Sequence, residues 1–280
     1  MAAGIHARSE GKNVVLVERG VVGGTCLNIG CVPSKMLLAA SGQREHALHN
    51  PFGGAPTSAG PVSLGALVQQ KQDLVVRLRD AKYLDVADAH GFPILRGEAT
   101  FADPDTLLVG GEPVRAAAYI VATGAEPAKP DLPGLDSVEW LTSTTAMELT
   151  HLPASLVVIG GGYVGMEQAQ LFAGLGTAVA LVGRLAPHTE PELAQVMRNA
   201  FARVGITVVE QRATQVAAKA DGQVLVTTEG GQTASGQRLL VATGRRARYD
   251  GLTLAIAGID TAEHGFITVD ARQRTSNPKV

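Results

Sequence analysis

An α/β fold built around parallel sheets is what this 280-residue sequence predicts, and three observations carry the prediction. The first is the stretch SLVVIGGGYVGMEQAQLFAGLGTAVALVGR (155–184), which reads as apolar strand, glycine turn, helix and second apolar strand. The second is NVVLVERG (13–20), a short apolar strand preceded by the helical-looking AAGIHARSEGK and ending in Glu18 and Gly20. The third is composition: 45% hydrophobic and 18% charged residues over this length can bury a sizeable core and divide into two domains.

The same composition narrows the partners. With 24 basic against 26 acidic residues, a net charge of -2 and no basic block, nothing recommends a nucleic acid, and small-molecule chemistry is expected instead. No apolar run reaches the eighteen or so residues that span a bilayer, and the first dozen lack the apolar core of a secretory signal. A cytoplasmic protein without a membrane partner is expected.

Taking the chain in order, the opening helix and strand read as the later part of a strand–helix–strand unit, with Glu18 where a ribose contact is expected. Both cysteines follow, in GGTCLNIGCVPSK (23–35). In a reducing compartment Cys26 and Cys31 could be two inert thiols, half of a metal site or a catalytic dithiol. The nearest histidines, His46 and His49, do not complete a four-ligand zinc set at that spacing. Pro33 and MLLAA predict a helix that begins near Cys31, where unpaired amides favour a thiolate. Gly23, Gly24 and Gly30 free the backbone around the pair, so a redox-active pair is the favoured reading.

Residues 50–62, rich in Gly and Pro, predict a surface loop. From Ser63 onward Leu64, Leu67, Val68, Leu74, Val75 and Leu78 fall at helical spacing and predict a long core-packing helix. Short strands are expected around 93–122, broken at Asp103-Pro104 and Gly110-Gly111. Next comes the 155–184 unit, where Gly160, Gly162 and Gly165 hold the GxGxxG spacing between strand and helix. The first glycine makes the turn, the second admits a pyrophosphate, and the third lets helix pack on strand. At the end of the second strand stands Arg184 where an NAD site places an acid, which favours NADPH through its 2′-phosphate. Thr189 and Glu192 predict a capping box for a helix running to about Val204, followed by strands at ITVVE, near 214–228 and at 238–242. No internal repeat is evident beyond the two nucleotide-type units.

Read together, GGTCLNIGCVPSK, VATGAEP (121–127), VATGRR (241–246) and GGGYVGME (160–167) closely resemble the flavin-dependent pyridine nucleotide-disulfide oxidoreductases. Within that family HNPFGG (49–54), LRDAKY (78–83), RGEATFAD (96–103) and EWLTSTTAMEL (139–149) look most like the mercury-reducing branch. The resemblance covers nearly the whole chain. It implies two Rossmann-like domains of the glutathione reductase type: an FAD-binding domain over 1–138 that is incomplete, lacking its first strand and phosphate loop, an NAD(P)H-binding domain over 139–246, and the start of a return segment over 247–280.

The resemblance also implies roles. Cys31 is the thiolate beside the flavin, and Cys26 the outer thiol that meets substrate. Lys35 approaches the flavin ring and pairs with Glu167, while Tyr163 gates the nicotinamide pocket. Glu18, Gly20, Gly24, Thr25, Ala99, Thr123 and Gly124 match positions that contact FAD; Gly160, Gly162, Gly165, Arg184 and Gly244 complete the cofactor contacts. Hg(II), a soft cation, would be taken as substrate by Cys26 and Cys31 from a thiol complex. The family's C-terminal interface domain, its second cysteine pair and a Gly-Asp flavin segment are expected to lie outside this sequence, and the intact protein is expected to be a homodimer. Two further readings stand beside mercury reduction: a reductase of a small disulfide, such as a dihydrolipoamide dehydrogenase or glutathione reductase, and an NADPH-binding module without turnover.

Overall fold

A computed structural model describes residues 1–280. In chain order the elements are α1 (Ala2–Ser9), β1 (Leu16–Glu18), α2 (Gly24–Asn28), α3 (Cys31–Leu48) and α4 (Leu64–Arg79), then a π-helical turn (Asp80–Leu84) and α5 (Asp85–Ala89). Strands β2 (Ile94–Arg96), β3 (Ala99–Asp103), β4 (Thr106–Val109), β5 (Glu112–Arg115), β6 (Ala125–Pro127) and β7 (Trp140–Leu141) follow, then α6 (Ser143–Ala146). The central unit is β8 (Ser155–Ile159), α7 (Tyr163–Leu175) and β9 (Ala178–Val182), continued by α8 (Pro191–Arg203) and β10 (Thr207–Val209). Last come β11 (Ala213–Ala218), β12 (Val224–Thr228), β13 (Thr233–Gly236), β14 (Arg238–Val241) and β15 (Arg245–Ala247). The chain forms two compact units, one of residues 1–28, 75–126 and 245–280, the other of residues 29–74 and 127–244.

The larger unit is organised by a five-stranded sheet in the order β10-β9-β8-β14-β7, every pair parallel. Its central strands are apolar on both faces, as a parallel sheet covered on both sides requires. Leu156, Val158, Leu181 and Leu240 point into one cluster with Leu37, Leu64, Val68, Leu171 and Phe172, so helices form that layer. Val157, Ile159, Val182, Leu239 and Val241 point the other way, against Val216, Val224 and Val226. This second face is covered by the antiparallel sheet β11-β12-β13 in place of helices. Each such side chain contributes roughly 1.5–3 kcal/mol relative to exposure.

The smaller unit pairs β1 with β2 in parallel, builds an antiparallel meander β3-β4-β5, and pairs β6 with β15. Its core is Phe101, Leu107, Val109, Leu252, Leu254, Ala257 and Ile259. Buried Asn277 ties this core to its loops, donating from Nδ2 to the carbonyls of Pro104 (3.0 Å) and Ala257 (2.7 Å).

Two local expectations need correction. Thr189 does not cap α8: its hydroxyl donates to the Ala186 carbonyl at 2.9 Å, and the helix opens at Glu190 with Pro191 in its first turn and no side-chain cap. The capping box lies instead at α6, where Thr142 accepts from the Thr145 amide at 3.2 Å and the Thr145 hydroxyl accepts from the Thr142 amide at 2.9 Å. Strand structure in the 93–122 stretch ends at Arg115 and resumes only at Ala125.

Candidate functional site

In the larger unit the strand order reverses between β8 and β14, and the turn that follows β8 is built by close approach. Gly160 has φ +117°, and a Cβ there would lie 2.3 Å from the Ala242 carbonyl oxygen at the end of β14. At Gly165 a Cβ would fall 1.8 Å from the Gly160 oxygen, so α7 can pack this tightly only without a side chain. Gly162, by contrast, has open space where its Cβ would stand. Two glycines are fixed by packing and one faces outward, the arrangement in which a phosphate group can approach main chain at a helix N-terminus. Gly161, which the sequence reading passed over, is equally confined: its Cβ would lie 2.2 Å from the Arg184 oxygen.

Helices α3 and α7 lie side by side and run the same way. Ser34 and Lys35 meet Glu167, whereas Ser41 and Arg44, two turns further on, meet Gly174. The crossing is close enough that a Cβ on Gly174 would touch Ser41 Oγ at 2.1 Å. Parallel alignment has a consequence for chemistry. Cys31 precedes Ser34 by one turn and Tyr163 precedes Glu167 by one turn, so thiol, tyrosine and glycine turn share one end of the helix pair. Both N-termini present their unpaired amides there, a partial positive charge from two helices. Cys31 is exposed, and Tyr163 keeps 68% of its surface accessible. Lys35 Nζ donates to Glu167 Oε1, which also lies 3.1 Å from Ser34 Oγ.

Beyond the carboxyl ends of β8 and β9 opens a pocket of about 530 Å³ whose lining includes Ile159, Gly183, Arg184, Arg212 and Thr243. Arg184 is exposed at its mouth, and its guanidinium donates to the Pro187 carbonyl at 2.8 Å. Glu210, on the same wall, is neutralised by Arg198 at 3.0 Å. His188 is exposed and forms no part of that lining. Gly244 is exposed after β14, its carbonyl accepting from the Ala128 amide at 3.0 Å.

The smaller unit holds the remaining candidates. Cys26 is exposed in the middle of α2. That single turn is clamped by Asn28, a residue the sequence reading did not single out. Asn28 Nδ2 donates to the carbonyls of Val22 (3.1 Å) and Gly24 (3.0 Å), while its Oδ1 accepts from Arg79 Nε (3.0 Å) and Nη2 (2.8 Å). A short helix in a glycine-rich segment needs such a fastening, and an amide with both ends saturated supplies it. Glu18, at the end of β1, accepts from the Gly20 amide at 2.8 Å through Oε1, which leaves Oε2 for hydroxyls of a ligand. Thr25 Oγ1 lies 3.7 Å from the Cβ position of Gly124, and Thr123 is exposed beside it. Ala99 opens β3, half-buried. No group of three or more His, Cys, Asp or Glu side chains could hold a resident metal ion, and no helix is long and apolar enough to cross a membrane.

Comparison with known proteins accords with these features. A sequence model of the pyridine nucleotide-disulphide oxidoreductases matches residues 1–280. The mercuric reductase of Streptomyces lividans is 46% identical over 291 residues, covering 100% of this chain and 61% of that protein. Those of Lysinibacillus sphaericus and Staphylococcus aureus are 41% and 39% identical, each covering 100% of this chain and 52% of theirs. The chain thus spans between half and two thirds of the length of these relatives. Among solved structures, the HOCl-induced flavoprotein disulfide reductase RclA from Escherichia coli superposes with a TM-score of 0.85 at 26% identity, over 99% of this chain and 61% of that one. Glycine turn, parallel helix seam and whole-length match agree: the chain belongs to the pyridine nucleotide-disulphide oxidoreductase family.

Proposed function

We propose that this chain carries the dithiol and the nucleotide-binding parts of an FAD-dependent oxidoreductase that uses NADPH to reduce Hg(II) to Hg(0). The observation that supports it most is the common end of α3 and α7, where Cys31, Tyr163, the Lys35–Glu167 pair and the glycine turn gather. The choice of mercury draws on the relatives named mercuric reductase and on the softness of thiolate ligands.

In this reading Gly162 leaves room for the pyrophosphate of NADPH, and Arg184 neutralises the 2′-phosphate in the pocket beyond β9. Tyr163, exposed in the first turn of α7, would gate the nicotinamide pocket. Glu18 accepts the ribose hydroxyls of FAD through Oε2, and Thr25, Thr123 and Gly124 line the same nucleotide. Bound FAD supplies the route by which an electron pair passes from nicotinamide to sulfur. Lys35 offsets negative charge near the ring, and Glu167 keeps its ammonium in place. Cys26 takes Hg(II) from a small-thiol complex and shares it with Cys31, displacing the carrier thiols. The sum balances as NADPH and Hg(II) giving NADP+, one proton and Hg(0).

A second reading, reduction of a small disulfide, draws on the likeness to the flavoprotein disulfide reductase. One assay separates the readings. The protein is loaded with FAD, and NADPH oxidation is followed with an Hg(II)-thiol complex and, separately, with oxidised glutathione or lipoamide. Mercury-dependent oxidation, abolished in Cys26→Ser and Cys31→Ser, is expected. Oxidation driven by a disulfide and not by mercury overturns the substrate assignment. Colourless protein that binds NADPH without turnover overturns both readings in favour of a binding module.

A further inference from the structure

The pairing of Lys35 with Glu167 raises a physical difficulty. Lys35 keeps 68% of its side chain exposed against 22% for Glu167, and an ion pair open to solvent on its lysine side is too weak to fix a long flexible chain by itself. Something else must hold the carboxylate still. Ser34, next to Lys35 and only 3% exposed, has its hydroxyl 3.1 Å from the same Oε1 that Lys35 reaches. Its other neighbour is the Cys31 carbonyl at 3.3 Å. A hydroxyl has one proton to give, and an ionised carboxylate is the stronger acceptor than a backbone carbonyl already within a helical hydrogen-bond ladder.

We infer that Ser34 is a positioning residue: its buried hydroxyl donates to Glu167 Oε1, fixes the carboxylate across the seam, and so holds the Lys35 ammonium at the end shared with Cys31. Packing supports the assignment. The seam is too close at Ser41–Gly174 for α3 to slide, so the backbone distance between Ser34 and Glu167 is set by the crossing itself. Ser41 is as buried as Ser34 yet faces a glycine, and thereby provides an internal control. The alternative is an ordinary helical serine bonded back to Cys31, with Glu167 held by lysine alone.

This inference deepens the function proposed above, since the importance of Lys35 rests on that reading. Its test needs neither cofactor nor mercury, so the two can fail separately. The pH profile of Lys35 acetylation is measured by peptide mass spectrometry, normalised to exposed Lys12. Glu167→Gln is expected to accelerate Lys35 labelling about fivefold at most, the limit set by a solvent-open ion pair, and Ser34→Ala about two- to threefold, by loosening the carboxylate that holds the ammonium. Ser34→Thr, which keeps the hydroxyl, and Ser41→Ala should superpose on the unsubstituted protein. A Ser34→Ala profile identical to the original, or an equal shift in Ser41→Ala, overturns the assignment. If Ser34→Ala does not fold, the near-isosteric Ser34→Cys, whose thiol is a weak donor, decides: a shift toward Glu167→Gln supports the role, and a profile identical to the unsubstituted protein overturns it.

Discussion

The two nucleotide-type strand ends of this protein are built by different means. At β8 the backbone is held from both faces of a five-stranded sheet, and carbonyl oxygens close in on Gly160, Gly161 and Gly165. At β1, a three-residue strand with no fully buried position pairs only with β2, and its end is held by a few polar bonds: the Gly20 amide to Glu18 Oε1, the Gly97 amide to the Glu18 carbonyl and Arg96 to the Gly20 carbonyl. On the proposed function, a turn that admits a pyrophosphate gains from main chain held in place by dense packing. A ribose contact needs one carboxylate held at a strand end, and a local polar bond is enough.

Glycine substitutions put that contrast under the greatest stress. Gly165→Ala would set a methyl group 1.8 Å from the Gly160 oxygen and push α7 off β8. Overpacking of this kind costs about 1–3 kcal/mol or more, and a domain of this size should melt roughly 4–10 °C lower. Gly20→Ala places its methyl 3.5 Å from Glu18 Oε1, an ordinary contact, and should stay within about 0.5 kcal/mol. Thermal unfolding followed by circular dichroism reads both. Equal losses at the two sites would mean that β1 is clamped as tightly as β8.

How much of this was legible in the sequence follows the same division. The glycine turn was readable because each role is enforced by steric exclusion, which restricts the residue type at fixed spacing. The helix beginning at Cys31 was readable from Pro33 and the good helix formers after it, and the long helix α4 from apolar spacing. Yet α4 hides an exception. Lys71, 2% exposed, stands on the buried face with Leu64, Val68 and Val75, its ammonium taken up by the Met147 carbonyl (2.9 Å) and Glu148. A lysine on that face reads as polar in any periodicity, because its partners lie far along the chain. Asn28 escaped for the same reason: its acceptor face is filled by Arg79, on another helix. The close approach of α3 and α7 at Ser41 and Gly174 was equally invisible, because small residues carry no periodic signal.

Cofactor choice gives a smaller, more selective test of the tightly built end. Arg184 reaches the pocket from the segment following β9 and makes one backbone contact there, so removing its charge should leave the fold intact. In Arg184→Gln the NADPH dissociation constant is expected to rise about tenfold, the loss of one charge-assisted hydrogen bond, with NADH binding unchanged. Titration of nicotinamide fluorescence measures both. Equal weakening of the two nucleotides would show that Arg184 shapes the pocket and does not read the 2′-phosphate.

The smallest effect belongs to the loosely built unit, where polar turns do the holding. Asp270 accepts from the Arg274 amide (3.0 Å), from Arg274 Nε (2.8 Å) and from the Arg272 amide (2.8 Å). The backbone bond from Arg274, then its side chain, lower the Asp270 carboxyl from 3.8 to about 2. A carboxyl whose folded value is depressed contributes stability that is present above its unfolded value and is lost as pH falls through the folded one. Because the turn is exposed, the consequence should be local. Amide hydrogen exchange at Arg272 and Arg274 should be faster in Asp270→Asn than in the unsubstituted protein from neutral pH down to about 5, with the difference closing between about 4 and 2. If the difference persisted unchanged below the folded value, the ionised carboxylate would not be what holds the turn, and geometry alone would account for the order there.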